Sequence, residues 1–180
     1  DTTSYVAFYN FGDVGQNEDD RIVSGYKYEG VVVPQIQYLS NNRSIALKDN
    51  GFTIYQGSQI PKEVKTIETD KEIVSTFYDD DMVGLVFKND SKDKQYIMEV
   101  YNTADGKLKF KEDFNIPYTT IKLSGGNILM YNSSQMCVMN SRGVQKYLGS
   151  VDGTIKDFFK IGMNRYLLVL DSGVDVIKLS

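Results

Sequence analysis

The sequence predicts an all-β fold built from one repeated unit, and three observations support this prediction. Short runs of apolar residues alternate with polar or glycine-containing turns along the whole chain. A pair of such runs around a tight turn recurs at a spacing of about 40 residues. No stretch shows the 3.6-residue apolar period that is typical of a helix. We therefore expect repeated sheets of short antiparallel strands.

The recurring pair of runs is a β-hairpin. Its clearest copy is Arg43–Gly57, in which Asn50 and Gly51 form a favoured hairpin turn between two apolar strands. The spacing of this copy from two later ones predicts another copy near residue 92, and the sequence contains it with a longer turn. The three further copies are Met82–Asn102, Asn127–Asn140 and Arg165–Ser180.

Each hairpin is preceded by one strand and, in the first three units, followed by another. The preceding strands are Pro34–Leu39, Glu72–Tyr78, Tyr118–Leu123 and Thr154–Ile161. The following strands are Pro61–Glu68, Gly106–Phe114 and Gly143–Val151. The hairpin strands are almost continuously apolar, as expected for strands buried on both faces, whereas the outer strand at Lys107–Lys111 alternates. The unit is thus a four-stranded antiparallel sheet.

Four-stranded sheets repeated at this period predict a β-propeller-like array, in which neighbouring blades bury one another's faces. We expect a single domain over residues 1–180 with about four blades. The predicted units are 31–69, 70–115, 116–152 and 153–180, with 1–30 as a partial blade. We expect a segment of a larger ring, because neither end carries a recognisable cap. A small ring closed by an amino-terminal strand, a β-sandwich and an open β-solenoid are the alternatives.

The repeats resemble those of uncharacterised extracytoplasmic propeller proteins of Gram-positive bacteria, a domain family of unknown function with WD40-like or quinoprotein-like repeats. The stretches "IALKDNGFTIYQG" and "SGGNILMYNSSQMCVMNSRGVQKYLGS" carry the resemblance. It implies a propeller outside the cell, tethered by a membrane anchor upstream of Asp1. It brings no catalytic residues with it.

Composition excludes several kinds of chemistry. The chain of 180 residues has no His, which removes Ser-His-Asp hydrolysis and every imidazole metal site. Its one cysteine, Cys137, lies within an apolar run and is expected to be a buried small hydrophobic residue. The net charge of -4 and the scattered Lys and Arg residues argue against a nucleic-acid partner. We predict no cofactor, no metal, no catalytic residue and no membrane insertion by this segment.

Two acidic clusters leave one enzymatic hypothesis open. They are Glu18, Asp19 and Asp20, within a long loop, and Asp79–Asp81, between the first two strands of a blade. Neither has the spacing of a calcium loop, so solvated turns are the simpler interpretation. Paired carboxylates also serve glycosidases, and an Asp- or Glu-dependent carbohydrate-active enzyme is therefore the alternative function.

Most aromatic residues fall on strand positions, where packing between blades explains them. Phe77, Tyr78, Phe87, Tyr101, Tyr131 and Phe158 belong to this group. Tyr26 and Tyr28, in "GYKYEG", are the pair that we expect to be exposed. Together with Glu18, Asp19 and Asp20 of the neighbouring loop they form the predicted binding patch.

The sequence favours a non-enzymatic binding or scaffold module that recognises a protein or cell-wall polysaccharide outside a bacterial cell. A second alternative to this function is a structural self-assembly module, since a ring segment leaves blade faces uncovered through which a homodimer can form. Convergence of two carboxylates in an aromatic-lined pocket would favour the carbohydrate-active enzyme.

Overall fold

In a computed structural model, which describes residues 2–12, 21–90 and 93–179, the chain folds into five antiparallel sheets that follow one another in chain order. The first sheet pairs β1 (Thr3–Tyr9) with β2 (Ile22–Glu29). The fifth contains three strands, β15 (Ile155–Gly162), β16 (Arg165–Leu170) and β17 (Gly173–Lys178).

The three sheets between them have four strands each, paired in chain order. The second sheet consists of β3 (Gln35–Leu39), β4 (Arg43–Lys48), β5 (Gly51–Gln56) and β6 (Lys62–Glu68). The third consists of β7 (Ile73–Tyr78), β8 (Met82–Lys88), β9 (Tyr96–Asn102) and β10 (Leu108–Phe114). The fourth consists of β11 (Thr120–Ser124), β12 (Asn127–Tyr131), β13 (Gln135–Met139) and β14 (Gln145–Ser150).

The hairpin strands form the buried centre of each sheet, as their apolar runs predict. All six residues of β4 and five of the six in β5 are buried. The outer strand β10 is mostly exposed and carries alternating lysines. A strand with apolar side chains on both faces needs a neighbouring sheet on each side, and this requirement drives the stacking of the sheets.

Four apolar clusters join the successive sheets. Val6, Phe8, Ala46 and Tyr55 pack between the first and second sheets. Ile45, Phe52, Val83 and Leu85 belong to the cluster between the second and third. Phe77, Met98, Ile128 and Cys137 belong to the next cluster, and Leu129, Val138, Phe158 and Leu168 to the last. Each middle sheet is therefore covered on both faces.

The sheets form an open arc. Within the described residues, no apolar cluster joins the first sheet to the fifth. The predicted all-β, propeller-like array of four-stranded antiparallel blades is confirmed, and it is a partial propeller. None of the residues that the structure describes forms a helix that is long and apolar enough to cross a membrane.

The predicted core aromatics lie where the strand pattern places them, with one partial exception. Phe77, Phe87, Tyr101, Tyr131 and Phe158 are buried between sheets, and Tyr78 is half-buried. Cys137 is fully buried as predicted, and burial raises the pKa of its thiol to about 12. A thiol in this environment stays protonated at neutral pH.

Candidate functional site

Tyr26 and Tyr28 lie on the inner face of β2, where they pack against the second sheet. Both are half-buried, which differs from the exposure expected of them. The Tyr26 hydroxyl donates to the Pro61 carbonyl oxygen at 2.9 Å and accepts the Glu63 amide at 3.2 Å. Successive side chains of a strand point to opposite faces, so Tyr26 and Tyr28 lie on the same face of β2. This face packs against the second sheet. Their part in ligand binding stays a prediction.

Tyr28 belongs to a polar cluster within the same interface. Its hydroxyl is hydrogen bonded to the Tyr55 hydroxyl, and the Lys48 ammonium lies 5.0 Å from the centre of its ring. Lys48 is buried and is paired with Glu68 at 3.0 Å. Burial raises the pKa of Tyr55 far above its ordinary value, so its hydroxyl is protonated and can donate. This cluster holds the first two sheets together.

The other predicted patch residues, Glu18, Asp19 and Asp20, lie outside the described residues. The strands on either side of them, β1 and β2, end and begin at the same edge of the arc as the turn from β3 to β4. We call this edge the turn face.

A groove opens on the turn face between the first two sheets. It consists of two adjoining cavities of about 290 and about 100 Å³. The two share Tyr38, Gly57, Ser58 and Pro61 as lining residues. The end of β1, the turn between β3 and β4, and the loop between β5 and β6 form its walls. We refer to it as the turn-face groove.

One wall of the turn-face groove is aromatic. Tyr38 is 69% exposed, and its ring packs edge-on against the buried Phe8 ring at 6.4 Å. Tyr9 lies on the side of the first sheet and is 48% exposed. Exposed tyrosines on a rigid sheet offer a large contact area with little loss of side-chain entropy on binding. This wall suits an apolar or aromatic ligand group.

The opposite wall is a polar turn that is held by hydrogen bonds from the loop after β5. Asn41 and Asn42 both have left-handed backbone conformations, with φ of 59° and 55°. Gln56 donates its side-chain amide to the Asn41 carbonyl at 2.7 Å, and the Gly57 amide donates to the Asn42 carbonyl at 2.9 Å. Asparagine tolerates this conformation better than most residues do, which explains the pair at a tight turn. The turn is thereby rigid.

The larger cavity is also lined by Arg43, the first residue of β4. Its side chain is only 6% exposed. Nη1 donates to the Thr103 hydroxyl at 2.9 Å, and Nε donates to the Ser40 carbonyl at 3.4 Å. The bond to Thr103 directs the guanidinium between the second and third sheets, on the face of β4 that also carries Ile45, whereas Tyr38 packs towards the first sheet.

The acidic cluster Asp79–Asp81 is a hydrogen-bonded turn next to Thr103, whose hydroxyl donates to the Asp80 carbonyl at 2.5 Å. One Asp79 carboxylate oxygen accepts the amides of Asp81 and Met82, each at 2.8 Å. The Asp80 carboxylate accepts the Ser40 amide at 2.7 Å and so ties this turn to the neighbouring blade. These hydrogen bonds give Asp79 and Asp80 a structural role in forming and anchoring the turn.

Carboxylates do not converge in the described cavities in the way that glycoside hydrolysis needs. One cavity, of about 260 Å³, is lined by both Glu112 and Asp113. The two are neighbours on β10, and successive side chains of a strand point to opposite faces. They therefore cannot face each other across a sugar. The residues placed by the structure contain no group of three or more His, Cys, Asp or Glu side chains that could hold a metal ion.

Two further clusters of charged side chains link neighbouring strands or neighbouring sheets. Glu99 accepts the Tyr101 hydroxyl at 2.7 Å and lies 3.3 Å from the Lys111 ammonium, and these contacts hold its pKa below the usual range despite partial burial. Asp157 of β15 accepts from Lys122 and from the Tyr131 hydroxyl, which joins the fourth and fifth sheets.

Sequence reasoning missed Tyr38 as a residue of the candidate site. Nothing in the sequence distinguishes Tyr38 from the tyrosines that pack between blades.

Five sheets stacked face to face in an open arc, with a groove at the edge of two of them, define part of a β-propeller of WD40-like architecture. The chain belongs to the family of unknown function DUF5711, whose model matches residues 1–179. The predicted resemblance to a propeller family of unknown function is confirmed. No curated protein sequence matches the chain.

Three solved structures with similar folds are distant from this chain in sequence. BamB from Moraxella catarrhalis has a TM-score of 0.51 and 12% identity over 92% of this chain and 46% of its own. The WD40 domain of SCAP from fission yeast has a TM-score of 0.59 and 11% identity over 84% of this chain and 43% of its own. BBS1N, in complex with ARL6DN, has a TM-score of 0.53 and 13% identity over 91% of this chain and 57% of its own. The chain thus spans about half the length of these propellers, and the likeness concerns the fold alone.

Proposed function

We propose that this chain is a non-enzymatic binding module that recognises a polypeptide partner at the turn-face groove. The observation that carries the proposal is Tyr38, a tyrosine that is 69% exposed at the edge of a preformed groove. Binding hot spots are rich in tyrosine. A similar propeller, BBS1N, has been solved in complex with another protein, ARL6DN, which is compatible with this type of function.

A selection with a random peptide library displayed on phage tests the proposal. We expect the immobilised protein to enrich peptides, and Tyr38→Ser to weaken their binding by about tenfold or more, because the substitution removes the aromatic wall. The matched control is Tyr5→Ser, since Tyr5 is 72% exposed but lies on the opposite face of the first sheet. Failure to enrich peptides, or equal binding by both variants, contradicts the proposal.

The loop residues Glu18, Asp19 and Asp20 and the tyrosines Tyr26 and Tyr28 stay part of the proposed surface. Tyr26 supports it indirectly, because its hydroxyl holds Pro61, a lining residue of the groove. A variant with Gln and Asn at the three acidic positions tests the loop in the same selection.

A second candidate is self-assembly through the outer face of the fifth sheet. Val174 and Val176 are 60% and 51% exposed, and they lie opposite Val169 and Leu167 in the register of β16 and β17. None of these four belongs to a core cluster of the described residues. An uncovered apolar sheet face of this kind favours a second copy as its partner.

Light scattering over a concentration series tests this candidate. We expect the wild-type mass to rise towards that of a dimer, and the double variant Val174→Glu, Val176→Lys to remain monomeric, because charges on the face oppose its burial. Substitution of Tyr5 by Glu, on the outer face of the first sheet, is the control. A wild-type protein that stays monomeric throughout the series refutes the idea.

We also propose that the module lies outside the cell membrane. The support is the resemblance of its repeats to extracytoplasmic propellers, and protease treatment of intact cells measures it directly.

A further inference from the structure

The first sheet leaves the first strand of the second sheet uncovered. In the third, fourth and fifth sheets, apolar residues of the first strand pack against the preceding sheet. These are Ile73 and Tyr78 of β7, Ile121 and Leu123 of β11, and Ile155 and Phe158 of β15. The corresponding residues of β3 are Ile36 and Tyr38, and they are 41% and 69% exposed. The two strands of the first sheet therefore do not extend over β3.

Within the first sheet, β1 is the strand nearer to β3. The Phe8 ring of β1 contacts the Tyr38 ring at 6.4 Å, whereas Tyr26 of β2 bonds to Pro61, directly before β6. The edge of β1 that does not pair with β2 thus points towards the uncovered face of β3. We call the space between this edge and the side chains of Ile36 and Tyr38 the edge cleft. It adjoins the turn-face groove, which Tyr38 also lines.

The free edge of β1 offers backbone hydrogen-bonding groups. The Gly30 amide donates to the Thr2 carbonyl at 2.7 Å, so alternate residues counted from Thr2 bond to β2. The intervening residues Thr3, Tyr5 and Ala7 direct their amides and carbonyls towards the other edge. Among the strands that the structure describes, β1 pairs with β2 alone. A strand in the edge cleft can therefore bond to three residues of β1.

The sequence of β1 also lacks the charges that protect exposed edges from pairing. Natural edge strands commonly carry charged side chains, Lys above all. The opposite edge of the same sheet, β2, carries Lys27 and Glu29, and the outer strand β10 carries Lys109 and Lys111. The seven residues of β1 include no charged side chain. Its edge is thus open to a further strand.

The edge cleft suits a single extended strand. A strand that pairs with β1 lies about 4.8 Å from it, over Ile36 and Tyr38. A second copy that paired its own β1 antiparallel to this one would bring its second sheet to the same side, where β3 already lies. An extended segment has no second layer, and every other side chain of it points towards β3.

We propose that the polypeptide partner is an extended segment of another protein, which adds as a strand to the free edge of β1. Its backbone bonds to Thr3, Tyr5 and Ala7, and apolar side chains at alternate positions pack on Ile36 and Tyr38. In strand addition, main-chain hydrogen bonds provide affinity and contacts of alternate side chains provide specificity. This inference rests on the proposed function, since it specifies how the partner of Tyr38 is bound.

N-methylation of the peptides selected from the random library, one residue at a time, tests the proposal on the wild-type protein. Each methyl group removes one amide donor. We expect a loss of affinity of about tenfold or more at alternate positions, and little change at the positions between them, whose amides point away from β1. We also expect the selected peptides to share apolar residues two positions apart.

A pair of proline variants tests the edge of β1 itself. Ala7→Pro removes an amide that faces the free edge and keeps the bonds to β2, and we expect it to weaken peptide binding by about tenfold. Lys27→Pro is the matched control, because the Lys27 amide faces the opposite edge of the same sheet. We expect this control to bind as wild type does. Thermal unfolding establishes that both variants are folded, and the N-methyl scan needs neither of them.

The outcomes separate this inference from the proposed function. Selected peptides that need Tyr38 but tolerate N-methylation at every position overturn strand addition and leave the binding module intact. Equal binding by folded Ala7→Pro and Lys27→Pro has the same meaning. A wild-type dimer that Ala7→Pro abolishes overturns the separate partner, because a second copy then occupies the edge. A library that yields no peptide overturns both proposals.

Discussion

Replacement of Phe158 by alanine is expected to lower the free energy of unfolding by about 3–5 kcal/mol. Phe158 is fully buried between the fourth and fifth sheets, where its ring lies 5.4 Å from the Tyr166 ring and 6.4 Å from the Tyr131 ring. Removal of the ring leaves a cavity that strands held by hydrogen bonds on both sides cannot close. Urea unfolding, followed by circular dichroism, measures the loss.

Phe159→Ala is the matched control, because it removes the same ring from the next position on the same strand. Phe159 is half-buried and pairs with Leu167, and the Lys122 ammonium lies 5.7 Å from the centre of its ring. We expect a smaller loss there, of about 1–2 kcal/mol, since part of the Phe159 ring contacts solvent in the native state. Equal losses of stability for the two variants would contradict the burial of Phe158, rather than Phe159, between the fourth and fifth sheets.

Replacement of Gly51 by alanine is expected to cost about 2–4 kcal/mol of stability. Gly51 begins β5 with φ of 144°, a conformation that side-chain-bearing residues rarely adopt. A Cβ atom at this position would lie 2.0 Å from the Ile67 carbonyl oxygen, which is fixed in the neighbouring strand β6. Relief of this clash requires part of the second sheet to open. Thermal and urea unfolding both report the effect.

Gly126→Ala separates the cost of the backbone conformation from the cost of the clash. Gly126 also has a positive φ, 73°, but no atom lies within 4 Å of a Cβ built on it. The expected loss is about 1 kcal/mol, which reflects the left-handed conformation alone. If Gly51→Ala lowers stability no more than Gly126→Ala does, β6 can move away from the new Cβ atom without loss of stability.

The predicted binding patch and the turn-face groove share a neighbourhood but differ in their residues. The sequence predicts that Tyr26 is exposed, yet its ring is half-buried and its hydroxyl donates to Pro61, which lines the groove. Tyr38 looks like one more strand tyrosine in the sequence, yet 69% of it is exposed. Alternation indicates that residues i and i+2 of a strand share a face, but it does not say which of the two faces a neighbouring sheet covers.

The fifth sheet shows why face assignment needs the tertiary structure. Ile155 is buried, and strict alternation from it would bury Asp157 and Phe159. The register shifts between Ile155 and Asp157, so that Phe158 lies inside instead. A bulge inserts one residue and exchanges the faces beyond it, and local sequence carries no clear signal of its position.

The amino-acid sequence alone is enough to predict the repeat, the hairpins and the all-β class, because apolar runs and turn residues act locally and recur with the period of the blade. It also determined which chemistry is absent, since a chain without histidine cannot use an imidazole. The exposure of Tyr38, the pairing of the buried Lys48 and the position of the groove become apparent only in the folded chain. These properties depend on how neighbouring sheets pack, and packing joins residues that are tens of positions apart, such as Arg43 and Thr103.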